Sequence, residues 1–402
     1  MTDRPAHSPL GASSAERWMN CPGSVALIKE LAITETSDEP DYRANGTAAH
    51  EAIAVCLQGG VDAWEVVGRK MANGVVCDVE MADAIQVFLT AVREPREGVI
   101  KEYVEHGFDA PAFHPDFFGT TDHAVVWRGR GYAPGDDRHF APIHELTNLD
   151  VDDYKHGEGV AVEVEWNPQI LYYAYGILVH HPEINGKVRM RIIQPRIPYL
   201  DAIRTFELDA QIVRNWAEGT LAPAMVRTQM DHTLDAGPHC RFCPAKLVCP
   251  LLTSLFRAAA THDPKEIILL EDASIGQSYQ FVPAVKSYLK ALEEEAYARL
   301  NRGGEIDGIK LVHKKANRVW KAGADKIMID RFGDEVLTKP EVKSPAELEK
   351  LGPDAKTLVK EWAYTPESGL TVALADDRRV AVKVQTTTEI FAGAVAAMNQ
   401  EE

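Results

Sequence analysis

Four polar residues in the first half of the chain have the types and spacing that metal-assisted chemistry needs: His50, Asp122, Asp153 and Lys155. Asp153 and Lys155 are two positions apart, and side chains two apart on a strand face the same side. The carboxylate and the amine therefore project together, with Tyr154 on the other face. Joined by a carboxylate from a neighbouring strand and by an imidazole, they form a donor set that suits Mg²⁺ or Mn²⁺.

Each of these residues alone has a plainer explanation. His50 could cap a helix or lie on the surface, and Asp122 could be a turn residue after Gly119. Lys155 could be a solvated residue of a hairpin turn. Only Asp153, among the nearby aspartates, has the two-residue spacing to Lys155. The joint occurrence of the four residues favours a common site.

Three of the six cysteines form a C-x2-C-x5-C pattern, at Cys240, Cys243 and Cys249. In a reducing compartment disulfides are a poor explanation for such crowding, which is more typical of a metal or iron–sulfur site. Thiolates can also hold zinc, and spacing alone does not separate the two. We expect Cys56 and Cys77 to be buried, inert thiols.

Periodicity predicts the elements that position these residues. Helix signals precede a stretch of period-two strands at 99–165, and a helix then begins at Asn167 as N-cap with Pro168 in its first turn. We predict helices over 13–33 (broken at Cys21–Gly23), 46–57, 78–98, 168–180 and 207–231, and a further strand over 187–197. Helix, sheet, helix and strand together predict an α/β core of about 250 residues.

Beyond this core the character of the sequence changes. A long amphipathic helix is predicted over 278–300, followed by a smaller unit with short strands and helices. We therefore expect three parts: 1–265 as the core domain, 266–303 as a connecting helix, and 304–402 as a small α+β region of unknown role.

Composition excludes several classes of protein. The 402 residues carry 43 Lys and Arg against 60 Asp and Glu, a net charge of −17, with 45% hydrophobic and 26% charged residues. This balance excludes a largely disordered or collagen-like chain. No apolar run is long enough to span a bilayer, and no secretory signal is evident, so we expect a cytoplasmic protein without membrane contact.

Taken together, these motifs resemble the PD-(D/E)XK nuclease superfamily, and within it the RecB-like, iron–sulfur exonuclease branch. This branch includes phage-encoded members, CRISPR adaptation nucleases and AddB nuclease domains. The resemblance covers about 13–250. It is carried by His50, the G-T-x-D ending at Asp122, the D-x-K of Asp153 and Lys155, and the helix with Gln169 and Tyr173. It implies a restriction-endonuclease-like core, a central mixed sheet flanked by helices.

The resemblance also implies the roles of individual residues. His50, Asp122, Asp153 and the backbone carbonyl of Tyr154 would bind one or two Mg²⁺ or Mn²⁺ ions, and Glu105 would support a second ion. Lys155 would orient the attacking water or stabilise the transition state. Gln169 and Tyr173 would position the DNA end or the neighbouring water.

Iron–sulfur nucleases of this type join an N-terminal cysteine to a C-terminal C-x2-C-x5-C. By resemblance Cys21, followed by Pro22, would complete a structural 4Fe–4S site with Cys240, Cys243 and Cys249, with zinc as the alternative. The interval from Asp122 to Asp153 is longer than the family's usual hairpin, and a Gly- and Asp-rich loop at 129–139 accounts for the excess.

Two basic stretches are candidate DNA contacts, although a solvated face would explain either of them. The first has alternate basic residues on one strand face, and the second combines basic residues with a tryptophan. The candidate residues are Lys187, Arg189 and Arg191 in the first stretch, and Lys314, Arg318 and Trp320 in the second.

These features predict a metal-dependent DNA exonuclease that acts in phage DNA recombination, repair or processing. We expect its partners to be linear DNA ends or single strands, with a single-strand-binding or recombination protein. The alternatives are a catalytically silent nuclease-fold protein that binds DNA or a recombination partner, and a purely structural metal-stapled domain. Cleavage polarity, strand preference and oligomeric state stay open. No nucleotide-binding motif of the G-x4-G-K-[ST] type is present, so unwinding would need a partner.

Overall fold

The computed structural model describes residues 8–33, 41–131, 143–198, 200–261, 276 and 279–309. The chain forms two compact units, Met1–Ala296 and Tyr297–Glu402. The predicted connecting helix therefore lies mainly in the first unit. Nearly all of the predicted C-terminal region, 304–402, lies outside the described residues, as does most of the loop at 129–139.

Four helices precede the sheet. They are α1 (Ala15–Asn20), α2 (Gly23–Glu30), α3 (Asp41–Gly59) and α4 (Val79–Val92). The predicted break at Cys21 separates α1 from α2. Helix α4 begins where the Asp78 carboxylate accepts a 2.8 Å hydrogen bond from the Met81 amide, and it ends earlier than predicted.

Five strands form one mixed sheet in the order β1-β2-β3-β4-β5. Their bounds are β1 (Val99–Asp109), β2 (Phe118–Gly131), β3 (His144–Tyr154), β4 (Lys187–Ile193) and β5 (Ile203–Asp209). Strands β3 and β4 are parallel, and every other neighbouring pair is antiparallel. The predicted α/β class, with a central mixed sheet flanked by helices, is confirmed.

Helix α5 (Pro168–His180) connects the parallel strands β3 and β4. The Asn167 side chain caps it by accepting hydrogen bonds from the amides of Gln169 (2.9 Å) and Ile170 (3.4 Å), as the Asn-Pro signal predicts. After β5 follow α6 (Ala210–Trp216), a π turn (Ala217–Leu221), α7 (Ala222–Met230), α8 (Pro250–Thr261) and α9 (Val282–Asn301).

Two sequence predictions are wrong at this level. The helix predicted from 207 begins only at Ala210, because β5 occupies the preceding residues and pairs with β4. The segment 160–166 has strand-like composition but is not a strand. Side chains bind its backbone instead: Val162 donates to the Gln194 side chain and accepts from Arg204.

The two faces of the sheet pack against different hydrophobic cores. Helix α5 and α1 cover one face, where Trp18 and Tyr172 are fully buried. Helices α3 and α4 cover the other face, where Phe88 and Tyr154 pack edge to face at a centroid distance of 5.6 Å. Adjacent residues on β2 and β3 therefore point into different environments. In the part of the chain that the structure describes, no helix has the length and apolar character needed to cross a membrane.

Candidate metal centre

Three potential metal ligands from three elements converge at one end of the sheet. His50 of α3 places its Nδ1 atom 3.5 Å from Oε1 of Glu105 on β1 and 3.5 Å from Oδ1 of Asp122 on β2. Their ligand atoms all lie within 4.8 Å of one another, and no other such trio occurs among the described residues. The structure thus brings together three residues that sequence analysis assigned to one metal site.

Glu105 has a strained backbone. Its φ of 45° is in the left-handed region although it is an L-residue inside a strand, a conformation that costs about 1–2 kcal/mol. Its Oε1 atom is buried and accepts no hydrogen bond. Strain of this kind clusters at functional sites, because the surrounding structure must hold it in place. Glu105 therefore presents an unsatisfied oxygen to the site.

A second polar group lies on the adjacent strand and on α5. The Lys155 Nζ atom is 2.9 Å from Oδ2 of Asp153 and donates a 2.9 Å hydrogen bond to Oε1 of Gln169. The Gln169 amide in turn donates to Tyr173 Oη at 3.0 Å and to Asp153 at 3.4 Å. The four residues form one connected network, with the Gln169 side chain at its centre.

Asp122 links the two groups. Its Oδ2 atom accepts a 2.8 Å hydrogen bond from the backbone amide of Tyr154, so both carboxylates are fixed to the same end of β3. The Tyr154 ring faces the opposite core and its hydroxyl bonds His156. The structure thus assigns the Tyr154 amide to Asp122, whereas the predicted ligand role of the Tyr154 carbonyl stays a prediction.

Burial and mutual repulsion perturb the ionisation of these groups. Burial raises the pKa of Asp122, and Glu105 raises it further. Burial likewise raises the pKa of Asp153, where the charge of Asp122 adds to the effect and Lys155 opposes it. For His50, burial opposes protonation, but Asp122 and Glu105 outweigh it and raise the pKa to about 9. Such perturbed groups are typical of functional sites.

This arrangement fits a hard divalent cation. Asp122 is 7% exposed and Asp153 is 2% exposed, so two carboxylates are held close together away from solvent. Nearby negative charges in a buried site are stable when a cation neutralises them. Oxygen donors with one imidazole suit Mg²⁺ or Mn²⁺.

The four cysteines of the predicted iron–sulfur site are all buried, but they do not form a compact cluster. Cys240 and Cys249 belong to one small hydrophobic cluster, and the thiols of Cys243 and Cys249 interact electrostatically with those of Cys21 and Cys240. No three of these sulfurs lie within 4.8 Å of one another.

Sequence analysis missed a histidine beside these cysteines. Burial opposes protonation of His239, but hydrogen bonds with Cys21 and Cys240 raise its pKa to about 10. Burial alone would raise the pKa of Cys21, but hydrogen bonds from His239 and the Asp235 amide lower it. The pair favours a thiolate at Cys21, which is the form that binds metal. The signal was available, because His239 directly precedes Cys240 in the motif.

The basic residues of β4 make internal ion pairs. Arg191 is 3% exposed and binds Asp152 at 2.5 Å, so its predicted contact with DNA is wrong. Arg189 pairs with Asp150 at 2.6 Å and Lys187 pairs with Asp209 at 2.6 Å. The remaining candidates for DNA contact lie outside the described residues; they are Lys314, Arg318 and Trp320.

Arg191 belongs to a buried charge ladder that sequence analysis also missed. His123 donates to carboxylates across the sheet, with Nδ1 2.8 Å from Asp152 and Nε2 3.0 Å from Glu102. Asp152 then bonds Arg191 on β4. His123 and Asp152 directly follow and precede the site residues Asp122 and Asp153, so the ladder fixes the register of the strands that carry the site.

Comparison with known proteins gives a family and similarity to solved structures. The model of a family described as a protein of unknown function, DUF2800, matches residues 7–380. A solved structure titled "Crystal structure of SSO0001" is 12% identical, with a TM-score of 0.21, and covers 57% of this chain and 94% of its own. A score at that level does not establish a shared fold. The family match covers most of the sequence, and the chain belongs to the DUF2800 family.

Proposed function

We propose that this protein is a divalent-metal-dependent DNA exonuclease that acts in phage DNA recombination, repair or processing. The observation that carries the proposal is the convergence of His50, Glu105 and Asp122 beside the Asp153–Lys155 pair. Except for Glu105, the same residues carry the resemblance to PD-(D/E)XK nucleases, although they lie on α3, on β2 and at the end of β3. Their meeting at one end of the sheet is not a consequence of sequence spacing alone.

The acidic residues and His50 would hold the metal. Bound Mg²⁺ or Mn²⁺ would supply a water of lowered pKa and neutralise charge on the phosphate. Asp122 and Asp153 are anchored through the Tyr154 amide and Lys155, so their oxygens are already oriented. Glu105 adds an oxygen that has no internal hydrogen bond.

Lys155 supplies positive charge where negative charge develops. Its amine is held between Asp153 and Gln169, so it has little freedom to reorient. A fixed ammonium in a partly buried site stabilises the charge on a pentavalent phosphate or orients the attacking water. Tyr173 fixes the Gln169 amide and thereby the lysine.

The four cysteines would serve a scaffold role. Cys21 follows α1, whereas the other three follow α7, so a bound 4Fe–4S cluster would join segments that lie before and after the sheet in sequence. Four buried thiols with His239 and Arg17 nearby support this proposal, because both cations favour the thiolate form. Zinc is the alternative to the iron–sulfur cluster, and metal analysis would distinguish the two.

End-labelled linear DNA with Mn²⁺ or Mg²⁺ tests the proposal. We expect anaerobically purified wild-type protein to shorten the DNA and Asp153→Asn to leave it intact while keeping its fold. Asp83→Asn, an exposed carboxylate of α4, serves as the matched control and should cleave like the wild type. Absence of cleavage by the wild type, with DNA binding that Asp153→Asn does not change, would instead support a catalytically silent DNA-binding protein.

A further inference from the structure

Trp166 combines an exposed indole with a strained backbone. Its side chain is 54% exposed, and its φ of 53° lies in the left-handed region that suits glycine. A bulky residue with positive φ is an outlier. Among the described residues only Ala32, Glu105 and Trp166 share this feature outside glycine, and Glu105 belongs to the metal site.

The turn that contains Trp166 does not need an indole. Asn167 stabilises the turn with two hydrogen bonds. Its backbone amide donates to the Val164 carbonyl at 3.3 Å, and its side-chain amide donates to the Glu163 carbonyl at 2.7 Å. The indole meets the edge of the Phe206 ring at a centroid distance of 5.5 Å, and the residue is 54% exposed. Glycine would adopt the same backbone without strain. The turn therefore gives no structural reason for a tryptophan that would outweigh the conformational cost of its positive φ.

Trp166 lies close in sequence to the proposed catalytic network. It precedes the N-cap of α5, and Gln169, three residues further on, bonds Lys155 at 2.9 Å. An exposed aromatic ring at this place can meet a substrate strand that reaches Lys155. An indole face is suited to stacking on a base rather than to contact with the phosphate backbone.

We propose that Trp166 is a stacking platform for an unpaired nucleobase of the DNA substrate, and that it positions the strand whose phosphate reaches Lys155. This inference rests on the proposed function. Every base has an aromatic face, so the contact tolerates any sequence. It also requires an unpaired base, which assigns the protein a single-stranded or frayed end as substrate.

Binding to a fluorescein-labelled oligothymidylate without added metal tests the inference. We expect Trp166→Gly to weaken binding about tenfold, whereas Trp166→Phe retains most of the affinity. Trp64→Ala is the matched control, because Trp64 is also 54% exposed, and it should bind like the wild type. Trp166→Gly should melt at or above the wild-type temperature, since it relieves the left-handed strain.

An abasic scan of the same oligonucleotide keeps the test independent of how the variants fold. Wild-type protein should lose affinity when one particular base is removed, and Trp166→Gly should show no further loss at that position. Equal affinity of Trp166→Gly and wild type, no abasic position that matters, or no DNA binding at all would overturn the inference. Cleavage measured in parallel separates the two proposals: cleavage that Trp166 variants leave unchanged overturns only the stacking role, whereas base-dependent binding without cleavage overturns only the nuclease.

Discussion

At the scale of single residues, the residues of the candidate metal centre lower the stability of the metal-free protein. Asp122 and Asp153 are buried, near each other, and accompanied by Glu105, whose backbone is strained. Each of these features costs free energy that a solvent-exposed carboxylate would not cost. A bound cation would remove the cost, so the residues proposed to bind metal would also make the protein depend on it.

Asp122→Asn should therefore stabilise the metal-free protein. The folded pKa of Asp122 is raised above its unfolded value, so the folded state binds more protons and loses stability as pH rises from about 4. Asparagine carries no charge and can still accept the Tyr154 hydrogen bond. We expect a higher Tm than that of the wild type, and the difference should grow with pH. Each kcal/mol of added stability should raise the Tm by about 2–4 °C. Thermal melts in a chelator from pH 4 to 8 measure it, and a lower Tm would contradict the account.

Lys155→Met should separate catalysis from metal binding. The amine acts on the phosphate or the water and is not a metal ligand, so the single-turnover cleavage rate should fall about 10²–10³-fold while the Mn²⁺ affinity stays within about twofold. Rate measurements at saturating Mn²⁺, together with a Mn²⁺ titration, make the comparison. Loss of Mn²⁺ binding in Lys155→Met would contradict the assigned role.

The sequence is enough to identify most of these residues, but it does not show their backbone strain or their burial. The order of His50, Asp122 and Asp153 along the chain is enough to suggest a common site. The strain of Glu105 depends on its φ, which no motif records. Arg191 shows the limit of periodicity: alternation predicts which residues share a face of β4, but not that Asp152 and α4 cover that face.

At the scale of elements, the position of helix α5 determines where Gln169 lies in the site. Its first turn is set by the Asn167 cap, and Gln169 lies in that turn and bonds Lys155. A helix that frays at its N-terminus would release the glutamine. The cap is therefore a positioning feature of the site and a local stabilising feature at once.

Asn167→Ala should lower stability by about 1 kcal/mol and also slow cleavage at saturating DNA and metal. Asp78→Ala removes the equivalent cap of α4 and is the matched control: it should cost similar stability and leave cleavage unchanged, because α4 carries no proposed catalytic group. Equal cleavage rates for the two variants would show that the α5 cap has no effect on the site.

The charge ladder across the sheet predicts acid sensitivity. Burial alone would raise the pKa of Asp152, but His123 and Arg191 outweigh it and lower the pKa to about 2. A lowered carboxyl pKa contributes stability that is present above about pH 4 and is lost as pH falls towards 2. Asp152→Asn should remove that pH dependence and cost about 3 kcal/mol near neutral pH, because it removes the closest counter-ion of the buried Arg191 and leaves only the longer pair with Glu94 at 3.5 Å. Urea titrations of both proteins at several pH values provide the measurement; a variant as stable as the wild type would refute it.

Caps are easier to predict from sequence than strand partners. The Asn-Pro signal predicted α5 correctly because it is a local interaction. The strand predicted over 160–166 is wrong because a strand needs a neighbouring strand to pair with. Here the side chains of Gln194 and Arg204 form hydrogen bonds with the Val162 backbone instead. Strand β5 was missed because its half-exposed pattern is weak, although β4 pairs with it along its whole length.

At the scale of the whole molecule, the proposed iron–sulfur site spans the first unit. Cys21 precedes the sheet and Cys240, Cys243 and Cys249 follow it, so a shared cluster would close most of this unit into one loop. Loop closure of this length contributes only a few kcal/mol, because its entropy grows logarithmically with length. The cluster would thus stabilise the unit moderately and leave catalysis to the metal site.

Cys21→Ser should lose the brown iron–sulfur chromophore and most of the bound iron, and it should melt at a lower temperature than the wild type. Cys56→Ala, a buried cysteine outside the motif, should keep its iron. Iron and zinc analysis of anaerobically purified proteins distinguishes the cluster from a zinc site. Full iron content in Cys21→Ser would exclude this residue as a ligand.

We propose that one metal site in this molecule binds a divalent cation and cleaves DNA. The most direct measurement is a Mn²⁺ titration in which bound metal, by electron paramagnetic resonance, and shortening of end-labelled DNA are recorded on the same samples of wild type and His50→Ala. We predict that cleavage follows metal occupancy in the wild type and that His50→Ala loses both together. Cleavage that does not depend on Mn²⁺, or equal Mn²⁺ binding by the two proteins, would contradict the claim.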